Sequence, residues 1–127
     1  MKHNMKNLKQ SMTGITERED FSYALRNFLD RFYSDPCLEQ LQDEPALLTD
    51  ILRDEGLADA YLASTAALLC QKFNLSQPAW VDRECRIKKT PWFAAKSPNL
   101  KAILLQECPA AFRVRNLFVS ANALSRA

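Results

Sequence analysis

The chain has 127 residues, 47% hydrophobic and 25% charged, with a formal net charge of +2. That length and balance fit one soluble globular domain and exclude disordered and fibrous classes. Gly14 and Gly56 are its only glycines and His3 its only histidine, too few for a Walker loop, a dinucleotide fingerprint or a nucleophile elbow.

The longest weakly polar stretch, Leu62 to Cys70, is far shorter than the ~20 apolar residues of a bilayer span. No charged-then-apolar signal segment opens the chain. Cys37, Cys70, Cys85 and Cys108 form no CxxC pair, so reduced thiols and a cytoplasmic location are expected. The charge is uneven. Residues 17–59 hold twelve acids against four arginines, and residues 60–127 hold ten basic residues against three acids. Such a bipolar chain either offers two faces to different partners or folds its halves against each other.

Residues 1–15 are polar and read as a disordered tail, followed by a single helical domain over residues 16–127. Thr16 and Glu19 match a capping box. Phe21, Ala24, Leu25, Phe28, Leu29 and Phe32 then form one stripe of an amphipathic helix to about Tyr33. Asp35-Pro36 and Glu44-Pro45 each predict a short helix start, and Gly56 a left-handed stop. Leu57, Tyr61, Leu62, Thr65, Leu68, Leu69 and Phe73 trace a long helix capped by Asn74. Its many alanines predict close packing against a neighbour.

Residues 16–75 thus make an acidic helical part and residues 76–127 an aromatic-basic part. From Gln77 to Lys96 no helical period appears, although Trp80, Val81, Ile87, Trp92 and Phe93 supply apolar anchors. Ser97-Pro98 opens another helix with Leu100, Ile103 and Leu104 inward. Cys108-Pro109 opens a short one through Phe112, Leu117 to Val119 reads as a single short strand or an extended stretch, and Ser120 caps a last turn carrying Leu124. The predicted class is mainly α: a small helical bundle with an irregular aromatic-basic segment and at most one short strand.

Catalytic constellations are absent from this pattern. Cys37 and Cys108 lie near helix starts that favour a thiolate, but His3 is remote in sequence. Asp50, Asp54, Glu55 and Asp59 are dense yet lack metal-ligand spacing. No enzyme activity, metal or cofactor is therefore expected. A helix-turn-helix outline around Gly56 fails as a DNA reader, because the following helix carries Asp59 and no base until Lys72.

The informative stretch sets Arg83, Arg86, Lys88 and Lys89 between Trp80 and Trp92-Phe93. Such interleaving suits a protein interface, where Trp and Arg dominate binding. It equally suits stacking on single-stranded nucleic acid, or tryptophans in a core with solvated bases around them. Trp80 reads as a structural anchor and Trp92 as an interface residue.

This stretch resembles the C-terminal module of bacterial antitoxin-like regulators. The motifs are Pro78-Ala-Trp80-Val81, Pro91-Trp92-Phe93 and Glu107-Cys-Pro109-Ala-Ala-Phe112-Arg113-Val-Arg115-Asn-Leu-Phe118-Val119, ending in Leu124 and Arg126-Ala127. The likeness extends back through Phe28 to Phe32 and Glu44-Pro45. Members of that family carry an N-terminal helix-turn-helix and are similar to partners of nucleotidyltransferase-type toxins. This sequence shows no such DNA-binding domain, which argues against autoregulation by direct DNA contact. The resemblance implies a non-catalytic antitoxin that neutralises a cognate toxin by protein contact, with the acidic helices covering a basic substrate channel. Partner-binding residues would be Trp92, Phe93, Arg83, Arg86, Lys88, Lys89, Arg113 and Arg115, with Trp80, Phe112 and Phe118 as anchors. The alternative is a small nucleic-acid-binding accessory protein that uses the basic arm.

Overall fold

The computed structural model describes residues 6–125. Helices α1 (Leu8–Ser11), α2 (Arg18–Ser34), α3 (Glu39–Gln42), α4 (Thr49–Leu52) and α5 (Leu57–Lys72) precede two 3-10 turns, Ala79–Asp82 and Glu84–Arg86. Strand β1 (Trp92–Phe93), helices α6 (Pro98–Glu107) and α7 (Ala110–Arg113) and strand β2 (Leu117–Phe118) follow. The architecture is the mainly helical bundle that the sequence predicts. None of the helices among the described residues is long and apolar enough to cross a membrane.

Helix α5 is the central post. Its small residues Ala58, Ala60, Ala63, Ser64, Ala66 and Ala67 are buried together with Leu62, Leu69 and Cys70. They let α7 and the two 3-10 turns pack against it. Asn74 ends the helix in the left-handed region at φ 57°. The Leu75 N–H then bonds the Cys70 carbonyl at 2.8 Å, the long bond of a Schellman closure.

The stripe of α2 is buried at Phe21, Leu25, Phe28, Leu29 and Phe32. Phe32 meets Phe73 from the end of α5 edge-on, with ring centres 5.6 Å apart. The helix starts one residue later than the sequence suggested. Asp20, not Glu19, reaches back and accepts from the Thr16 and Glu17 N–H groups and from the Thr16 hydroxyl. These bonds hold the Asp20 carboxyl below its ordinary value.

The tail reading is corrected over residues 7–15, while residues 1–5 lie outside the described residues. Asn7 and Gln10 cap α1 reciprocally, at 2.8 and 2.9 Å. Leu8, Met12 and Ile15 are buried in the main core. Their spacing is helical, and Gly14 at φ 77° turns the chain into α2.

The two proline starts are also corrected, since α3 begins at Glu39 and α4 at Thr49. The Pro45 carbonyl is taken by Arg86. The Leu48 and Thr49 N–H groups at the head of α4 donate to the Asp59 carboxylate, which projects from α5. A side chain eleven residues downstream thus does the capping that the sequence assigned to local residues. Arg53, at φ 52°, already ends α4, and Gly56, at φ 83°, makes the turn into α5.

Ser97 caps α6 as expected, accepting from the Leu100 N–H at 3.2 Å. The inward face of α6 is narrower than expected. Leu104 is its buried residue, whereas Leu100 and Ile103 are 52% and 48% exposed. They overlie a 420 Å³ cleft that Tyr61 and Val119 also line, so α6 rests on the surface of the bundle. Leu117–Phe118 is extended, as expected, and pairs in parallel with Trp92–Phe93. That partner strand lies in the segment read as irregular. Leu124 is buried in the last turn, and its carbonyl accepts from the Tyr33 hydroxyl.

Candidate functional site

The eight basic and aromatic residues assigned to a partner do not form one surface. Arg86 is fully buried. Its guanidinium donates to the Pro45 and Asp59 carbonyls and to the Glu44 carboxylate. Arg115 is 4% exposed and donates to the Val81 and Ala111 carbonyls, tying α7 to the first 3-10 turn. Burial pushes the Arg115 guanidinium below its ordinary value, and the nearby Asp82 opposes that shift. Lys88 is also buried, with Nζ near the Thr90 hydroxyl at 3.4 Å. These three are corrected from partner-binding to structural. Desolvating a guanidinium is tolerated only where oxygen acceptors surround it, as here.

The others divide. Arg83 is exposed but paired with Glu44 at 2.5 Å. Arg113 is exposed and donates to the Leu105 and Cys108 carbonyls at the end of α6. Lys89 is exposed. Phe93 stacks on Phe118 with ring centres 4.7 Å apart, and the Lys101 ammonium lies over its ring, so it serves the strand pair. Of the proposed anchors, Trp80 and Phe112 are buried and Phe118 is half-buried. With Arg86, Lys88 and Arg115 inside, the basic residues of the arm do not line up in one solvent-facing strip among the described residues.

Trp92 stands apart. Its backbone N–H bonds the Asn116 carbonyl, while its half-buried side chain walls a 390 Å³ groove. Phe21, Leu25 and Leu29 of α2 form one side, and Leu57, Ala58 and Tyr61 of α5 form the other. Leu52 and Leu124 also line it. Tyr61 is fixed edge-on against Phe112 and Phe21, and burial pushes its hydroxyl up from the ordinary range.

Arg18 and Arg26 flank the groove from α2, both exposed. Neither has an ion-pair partner among the described residues. The groove's carboxylate, Asp54, accepts from the Gly56 and Ala58 N–H groups and so caps α5. Sequence reasoning found Trp92 but missed Arg18 and Arg26. They occupy the polar face of α2, and nothing local in the sequence marks a polar face as the edge of a groove.

Comparison with protein-family models, curated proteins and solved structures finds no match to this chain. The functional reading rests on the groove and on the residues that build it.

The thiols add no reactive centre to this groove. All four cysteines are free. The Cys108 thiol is buried and donates to the Leu117 carbonyl at 3.2 Å, and burial pushes the Cys70 thiol up. No cluster of three or more His, Cys, Asp or Glu side chains suited to a metal ion occurs among the described residues.

Proposed function

We propose that the chain is a protein-binding module of the antitoxin kind, which seats part of a bacterial toxin in the groove between α2 and α5. The observation that carries this reading is the groove itself. It is a largely apolar trough lined by Trp92, with Asp54 and two guanidinium groups that have no ion-pair partner among the described residues. Concave apolar surfaces with an accessible tryptophan are where binding energy concentrates in protein complexes. The resemblance to antitoxin-like modules, carried by residues 78–127 and extending back through residues 28–32 and 44–45, suggests the partner class, a nucleotidyltransferase-type toxin. A nucleic-acid role draws no support from the basic arm, whose Arg86 is spent on Glu44 and two backbone carbonyls and whose Lys88 is buried near Thr90 and Glu55.

The test is co-purification with the product of the neighbouring gene, followed by titration of Trp92→Ala. A loss of about 2 kcal/mol in affinity with an unchanged melting curve supports the reading, as for an interface hot spot. Equal affinity of both forms removes the groove from the interface.

A further inference from the structure

Resting on the reading of the groove as a protein-docking site, we infer that its occupant is an amphipathic helix with two carboxylates about two turns apart. Three features select that chemistry. First, Phe21, Leu25 and Leu29 lie four residues apart along α2 and, though mostly spent on the core, line the groove in a row that matches the i, i+4 row of a second helix. Second, the strand residue in the lining, Trp92, already spends its N–H on the Asn116 carbonyl. An extended peptide would therefore leave backbone groups unpaired, whereas a helix satisfies its own.

Third, two guanidinium groups on one helix, Arg18 and Arg26, line the groove against a single carboxylate, Asp54. Arg18 and Arg26 are eight residues apart on α2, a separation of about 12 Å at about 1.5 Å per residue. A docked helix with acids seven or eight positions apart reaches both. Arg83 and Arg86 are paired with Glu44, and Arg115 with Asp82, whereas Arg18 and Arg26 have no ion-pair partner among the described residues. Asp54, the nearest candidate to pair with them, is occupied by two backbone N–H groups. Unpaired edge charges of this kind set which partner is accepted and how fast it arrives.

The experiment uses the full chain, ¹⁵N-labelled, with three synthetic helical peptides of about 18 residues. All share one leucine row and differ only at two positions eight apart, which are Glu, Gln or Lys. The Glu peptide should move the Trp92 indole N–H signal and the Phe21 and Leu25 amides, leaving the Trp80 indole signal in place. It should bind about ten-fold tighter than the Gln peptide, and the Lys peptide more weakly still. The Arg18→Glu/Arg26→Glu variant, whose changes lie on an exposed face, should melt like the wild type and reverse that order.

Equal binding of all three peptides at Trp92 overturns the acidic partner while leaving protein docking in the groove intact. No shift at Trp92 with any peptide overturns the helical occupant, and the toxin titration with Trp92→Ala then decides separately whether the groove binds protein at all. Sodium dodecanoate moving Trp92 where the peptides do not assigns the groove to a small amphiphile and also overturns the inference.

Discussion

The Arg86 guanidinium lies over the Trp80 ring, 5.0 Å from its centre, and the two side chains grip the same loop from different points. Trp80 Nε1 donates to the Leu41 carbonyl at 2.9 Å, and Arg86 donates to Glu44 and to the Pro45 carbonyl. One cation–aromatic pair therefore fastens residues 41–45 of the acidic half to the arm of the basic half. Of the two outcomes open to a bipolar chain, the structure shows the halves folded against each other at this point.

Removing one partner of a buried ion pair typically costs about 3–5 kcal/mol, because the other charge stays buried and unpaired. Arg86→Ala should fall in that range by urea unfolding. Arg86→Ala/Asp59→Asn should recover part of the loss, since the buried Asp59 carboxylate, 4.0 Å from Arg86, is the charge left stranded while Glu44 keeps Arg83. Additive losses in the double variant would show that Arg86 acts through packing on Trp80 alone.

The two tryptophans should separate in the same assay. Trp80 is buried with its indole N–H satisfied, so Trp80→Ala should cost about 3–5 kcal/mol. Trp92 is half-buried and holds β1 through its backbone, so Trp92→Ala should leave the melting temperature near the wild-type value. Equal destabilisation by both would place Trp92 in the core rather than at a docking surface.

Acid should weaken the clamp. Burial pushes the Glu44 carboxyl up, but hydrogen bonds from Arg86 and Arg83 outweigh it and hold the group below its ordinary 4.5. Its contribution to stability is thus complete above pH 4.5 and is lost as the pH falls through the lowered folded value. Asp59 has the opposite sign. Burial raises it above 3.8 despite the bond from the Leu48 N–H, so its contribution is complete below 3.8 and declines as the pH rises through the raised value. The stability gap between wild type and Glu44→Gln should narrow as the pH drops below 4.5. Asp59→Asn should gain on wild type as the pH rises from 3.8. Urea titrations across that window read both slopes, and parallel curves for Glu44→Gln would remove Glu44 from the clamp.

The N-terminal helix should matter more than its polar composition suggests. Leu8 is fully buried, and the Arg31 guanidinium donates to the Ser11 hydroxyl at 2.7 Å. Leu8→Ala should cost about 2–5 kcal/mol, the range for truncating a buried leucine. A loss within experimental error would return residues 7–15 to the status of a tail.

Much of the fold was legible because its longest helices signal themselves locally. The stripe from Phe21 to Phe32 and the alanine-rich run of α5 need no distant partner to be recognised. What escaped is what depends on distance. Residues 7–15 carry only three apolar side chains, Leu8, Met12 and Ile15, so their helical spacing was masked by the polar residues between them. Pro45 marked a helix start locally, yet Asp59 and Arg86 decide the geometry there from 14 and 41 residues away. The candidate site shows the same split. Trp92 was found by its setting between Pro91 and Phe93, whereas the burial of Arg86 and Arg115 depends on carbonyls that no sequence pattern advertises.

Helix α6 leaves Leu100 and Ile103 exposed and is held to the bundle by Leu104, the Lys101 ammonium over Phe93, the Glu107 carboxylate accepting from the Ala121 N–H, and the Arg113 guanidinium at its far end. Its amides should therefore exchange with deuterated solvent through a local opening, far earlier than those of α5, whose exchange requires global unfolding. The same opening should make Lys101 an early site of tryptic cleavage in the native protein. Leu100 and Ile103 would be the first apolar side chains released to solvent when the molecule breathes.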